Sequence, residues 1–388
     1  MRAIQCWLLA ALVWAMGGPA FAAETSAPTN DEPAQLVRKL GDDSFEIREH
    51  SGRRLLELGP AARQALQEGS GSSDPEVRIR STQLLALLHK VDVRQRVAAF
   101  LADDEGKLDH HLPGWERFRE QFGRDRVARE LFAEMHKAES ELIEASEAAP
   151  KTVGEMFQVR AQTLQQMMFG PVQRPLSLGS VAALLFLGSD TRLKVGDDAA
   201  MPVYNLINQN PFQQAITSGQ NVELSRRLLA AWIERRSEGM AAYQNLFLAQ
   251  RFDLKEGLHS AISIVRTSSD PNQLQMALLM LGRFGKRQNI ADLTPVLDNK
   301  TQCSSFVVNN KQVVTQVRDV ALAVAVHLAG QPHKDFGFTR VQMNPQLLFN
   351  VTTLGFEDEA EREAAFHKWK IWSEGNLEQP KPEEDPKP

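Results

Sequence analysis

Cysteine is almost missing from this sequence, tyrosine occurs only twice, and no apolar run approaches the length of a membrane span. The two cysteines are Cys6 and Cys303. Cys6 sits in a short apolar stretch near the start, so a framework of internal disulfides is excluded and Cys303 is expected as a lone thiol packed as a small hydrophobe. The longest apolar run, Cys6 to Met16, falls short of the ~20 residues that a spanning helix needs. Positive charge is not in surplus either: 44 Lys and Arg face 49 Asp and Glu, a net charge of −5. That balance removes the electrostatic reason to expect nucleic acid as a partner. Familiar catalytic signatures are missing as well: there is no Ser-hydrolase elbow, no H-E-x-x-H and no Cys-x-x-Cys.

What is present is an address and a repeat. Arg2, the apolar run, Gly17-Gly18-Pro19 and Ala20-Phe21-Ala22 have the order of a secretory signal peptide, with cleavage expected at Ala22 or Ala23 and a secreted or periplasmic location. Residues 1–23 are thus read as the signal, 24–33 as a disordered polar linker, and 378–388 as a disordered Pro-rich charged tail. After the linker, Ile47, Arg48, Ser51, Leu55 and Leu58 return thirty places later as Val77, Arg78, Ser81, Leu85 and Leu88. Asp74-Pro75-Glu76 has the grammar of a helix start, and Gly59-Pro60 reads as one helix stopping and another beginning.

These residues resemble HEAT repeats of the phycobilisome-lyase-like kind, most clearly over residues 34–101, with echoes in 269–377 at Asp270-Pro271 and Val317-Arg318. A looser likeness runs through LPGWERF at 112–118, DFGF at 335–338 and Phe366, Trp369 and Trp372. There the chain is similar to a group of secreted planctomycete proteins with an N-terminal HEAT-like segment, a likeness that carries no activity with it. The resemblance implies an α-solenoid of short helical hairpins. The middle region, 102–268, is expected as irregular helices. Two β-branched runs around Asn309-Asn310 predict a small β-hairpin near 303–316. The fold class is mainly α with that one insertion.

Several constellations are candidates for chemistry. Asp103 to His111 packs acids and two imidazoles into nine residues, and Asp104, Asp109, His110 and His111 are the possible ligands for a divalent ion; a solvated capping loop is the competing reading. Arg48 and Arg78 are placed either to bind a ligand or to form a ladder with neighbouring Asp residues. Trp115 and Phe118 make either a platform for sugars or peptides or a core seam. Asp335-Phe336-Gly337 spells a kinase motif without the rest of a kinase, so its aromatics are expected as plugs. The function expected is a secreted non-enzymatic helical-repeat scaffold for a protein or extended ligand, with no cofactor, no nucleic acid and no membrane span after cleavage. The alternatives are a metal-dependent enzyme or metal-binding protein centred on residues 103–111, and a purely structural envelope component.

Overall fold

A computed structural model describes residues 31–377, apart from residues 104, 105, 107, 109, 170–174 and 309; the side chains of Phe169, Val308 and Lys311 are also left aside. The signal, most of the linker and the tail therefore lie outside the described residues. The described chain is mainly helical, with sixteen α-helices and two small antiparallel hairpins. No helix among the described residues is long and apolar enough to cross a membrane. The described residues divide into two compact units, 31–92 and 93–377.

The first unit contains α1 (Glu32–Arg38), α2 (Phe45–Leu58), α3 (Arg63–Ser70) and the beginning of α4 (Pro75–Ala102). Glu32 and Pro33, expected in the linker, are helical instead. Proline fits the first turn of a helix, and Glu32 is held by Arg54 at 2.9 Å. Gly59 ends α2 at φ +58 and Pro60 opens a 3-10 turn, so the stop-and-start reading holds. The core gathers Leu36, Leu40, Leu55, Leu66, Val77, Leu84 and Leu88, with Leu85 partly buried against it. The helices approach closely where side chains are small: a Cβ on Gly69 would lie 2.5 Å from Ser81 Oγ. Helix α4 has 28 residues, longer than the short hairpin arm expected, because nothing between Pro75 and Ala102 breaks it.

The second unit has two cores. The first is rich in Phe: Phe118, Phe132 and Phe186 pack within 5.0–6.4 Å of one another. It is built on α5 (Trp115–Phe122), α6 (Arg126–Ala148), α7 (Val153–Phe169) and α8 (Leu178–Gly188), followed by α9 (Ala200–Ile207), α10 (Asn210–Thr217) and α11 (Val222–Arg235). The apolar run at 181–187 is wholly buried within α8, as its composition demands. Beyond it, α12 (Ala241–Phe252) contributes to both cores. The second core joins α13 (Gly257–Thr267), α14 (Pro271–Phe284), α15 (Val317–Leu328) and α16 (Glu359–Asn376).

The expected hairpin forms between β1 (Gln302–Val308) and β2 (Lys311–Gln316), paired antiparallel with Val308 opposite Lys311; Asn310 has the left-handed φ of a tight turn. A second, two-residue pairing joins β3 (Met343–Asn344) to β4 (Leu348–Phe349), too short for an alternating pattern to reveal. Phe336 and Phe338 are buried, Phe336 lying 5.8 Å from the Trp369 ring, so the DFGF stretch is an aromatic plug.

Candidate functional site

In the first unit, Arg48 and Arg78 perform the same task on their own loops. Arg48 Nη1 donates to the carbonyls of Asp42 and Asp43 at 2.7 and 3.0 Å. Arg78 Nη1 donates to those of Ser72 and Ser73 at 2.8 and 3.5 Å. The offsets are identical, so the thirty-residue echo marks a repeated latch between a helix and the loop that leads into it. Arg48 also reaches Glu76 at 3.6 Å, tying the two repeats together. The ligand and Asp-ladder readings both overlooked backbone carbonyls as the partner, because sequence spacing identifies side-chain partners and leaves main-chain ones invisible.

In the second unit the acidic loop begins where α4 ends. The Arg129 guanidinium donates to the carbonyl of Phe100 and, at 2.8 Å, to that of Asp103, closing the helix terminus as a cation near a C-terminal dipole should. Asp103 Oδ2 is 3.0 Å from His110 Nε2 and accepts from Leu108 N at 2.8 Å. Of the four proposed metal ligands, Asp104 and Asp109 lie outside the described residues. His110 is turned onto Asp103, and His111 is exposed with φ +47, a conformation that costs a non-glycine residue about 1 kcal/mol or more. Among the described residues no group of three or more His, Cys, Asp or Glu is placed to hold a metal ion.

The same loop forms one wall of a cleft of about 640 Å³, lined also by Phe100, Trp115, Glu116, Arg117, Glu120, Glu147 and Arg192. Its floor turns on Leu112-Pro113-Gly114. Buried His136 meets the Pro113 carbonyl at 2.9 Å, and Gly114 has φ +81, with the Glu147 carboxylate 3.6 Å from where a Cβ would sit. A side chain there would be strained by the left-handed backbone. Trp115 and Phe118, read together in the sequence, stack on each other at 6.1 Å: Phe118 is fully buried, whereas Trp115 is half-buried against the same core, edge-on to Phe100 at 4.9 Å, and also lines the cleft.

An ion-pair network from three elements forms part of the wall. Arg117 stacks over the Phe186 ring at 3.8 Å, donates to Glu147 at 3.1 Å and lies 3.4 Å from Asp190. Arg192 donates to Glu147 at 2.9 Å and to Asp190 at 2.8 Å. Burial pushes the Arg117 pKa down, against the pull of Asp190 and Glu147. For Asp190 burial acts upward, but the side-chain and backbone donors of Arg192, with Arg117, outweigh it and hold the carboxyl below its usual range. Glu147 is held low in the same way, the two guanidiniums prevailing over burial. Sequence reasoning missed this network; the one local signal was an Asp-x-Arg directly after the apolar run of α8.

Cys303 is half-buried, its Sγ donating to the Thr315 carbonyl at 3.4 Å, and burial, with Asp319 nearby, pushes its thiol up to about 12. A thiol so rarely ionised is a poor nucleophile. No protein family, no curated protein and no solved structure matches this chain.

Proposed function

We propose that this protein is a non-enzymatic helical-repeat binding scaffold, secreted or periplasmic, that holds a protein segment or another extended ligand. The HEAT-like solenoid arrangement is part of the proposal, and the equivalent latches of Arg48 and Arg78 support it. The observation that carries the reading is the cleft at the start of α5. Its aromatic and charged lining is held by Arg129 and His136 and by the ion pairs of Arg117, Arg192 and Glu147 with one another and with Asp190, so the surface is formed before a ligand arrives. Preorganised, mostly fixed walls are what a recognition site needs to avoid ordering costs on binding.

The test is affinity capture of the mature protein from its own cell envelope, beside Glu120→Arg at the exposed rim. The reading predicts a partner held by the parent protein and lost with Glu120→Arg, at unchanged melting temperature. Capture indifferent to that change would contradict it. The Asp103–His110 contact on the cleft wall favours a second reading, a metal-binding or metal-dependent site. Elemental analysis decides between them: stoichiometric zinc or calcium that disappears in His110→Ala would favour the metal.

A further inference from the structure

We propose that the cleft takes an organic cation, a primary amine or guanidinium on an apolar stem, as a Lys or Arg side chain of an extended segment presents. This rests on the reading of the cleft as a binding site and adds the chemistry of what enters it. The volume, about 640 Å³, is ample for such a group together with its flanking backbone.

The charges at the cleft select the sign of the ligand. Three carboxylates, Glu116, Glu120 and Glu147, line it against two guanidiniums, Arg117 and Arg192. Both guanidiniums face carboxylates of their own network. Arg192 Nε, Nη1 and Nη2 all donate to Asp190 or Glu147. Arg117 Nη2 donates to Glu147 and its Nη1 lies 3.4 Å from Asp190; Nε and Nη1 make no hydrogen bond but are sealed from solvent. An anion entering here would have to displace a carboxylate from Arg192 or reach the buried nitrogens of Arg117, and it would also meet Glu116 and Glu120. A cation meets no such obstacle. Glu116 pairs with Arg119, but Glu120 bonds to no described residue and its carboxylate stands open one turn from Glu116. Trp115, half-buried on the same wall with its ring packed against Phe118 and Phe132 and approached by Arg129, offers apolar surface to a methylene stem.

The experiment is calorimetric titration of the full chain with acetyl-Gly-Lys-Gly-amide, the same peptide acetylated at Nζ, pentylamine, methyl glucoside and succinate. The expected result is that both amines bind, that acetylation abolishes binding, and that Glu120→Gln weakens it by about threefold to tenfold, less so at high salt. Tighter binding of the peptide than of pentylamine identifies a segment as the source, and equal binding identifies a free amine. Trp115→Phe, which keeps an aromatic ring for the core, should also weaken the cation.

Equal binding of the acetylated peptide would overturn the proposal, as would binding of succinate or glucoside in place of the amines. If no probe binds but envelope capture still depends on Glu120, the cation assignment falls and the binding reading stands. If capture is indifferent to Glu120 as well, both fall.

Discussion

Arginines in the two units are used in contrasting ways. In residues 31–92, Arg48 and Arg78 each fold back five and six residues onto the carbonyls of the preceding loop. Around the cleft, Arg117 and Arg192 reach carboxylates at Glu147 and Asp190, up to 73 positions away for the pair Arg117–Asp190, and Arg117 does so against the buried Phe186 ring. The first device is local and repeated; the second is assembled by the fold, with Arg117 and Asp190 buried and Glu147 and Arg192 reaching toward the surface. A local latch can be lost with small consequence, because water replaces its bonds. The buried pair of Arg117 and Asp190 has no such substitute.

The sharpest way to break the contrast is Asp190→Ala. It leaves Arg117 desolvated beside a single carboxylate and should cost the second unit about 3 kcal/mol, read by urea denaturation. Arg48→Ala should cost about 1 kcal/mol, and Arg78→Ala less, its side chain being the more exposed. Equal losses at all three positions would erase the distinction.

Acidification supplies a graded version. Asp190 and Glu147 titrate below their usual values in the folded state, so their contribution is complete above about pH 4 and is lost as pH falls from there toward their folded values. Burial also lowers the His327 and His333 pKa values, their rings 6.2 Å apart, from the ordinary 6.5. The unfolded chain therefore takes up protons first, and stability should decline as pH drops below about 6.5, before the carboxylates act. A melting temperature flat from pH 7 to 5 would contradict this. Least of all should happen at Cys303: alkylation of the folded protein at pH 8 should be far slower than after denaturation, and Cys303→Ala should leave melting within about 1 °C.

The same contrast explains what could be read from the residues alone. The latch repeat was visible because its members lie at fixed offsets on one helix face, and the hairpin was visible because β-branched runs flank Asn309-Asn310. Helix α8 could be located as a buried run, though not the kink at Glu139 in α6, where a buried carboxylate bonds Arg160 at 2.6 Å and Ser180 at 2.7 Å. The cleft was legible only in fragments. His110, His111 and Trp115 were singled out for their chemistry, but Arg117, Glu147 and Arg192 look like ordinary surface charges until three elements bring them together. Partner carbonyls were invisible everywhere, since no side-chain pattern encodes them.

The most direct measurement of the account is site-specific photocrosslinking in the native envelope, with a photoreactive residue at position 120 on the cleft rim and, separately, at position 79 on the exposed face of α4. The account predicts a discrete crosslinked product from position 120 that competing lysine peptide suppresses. A product from position 79 alone, with position 120 silent, would contradict it.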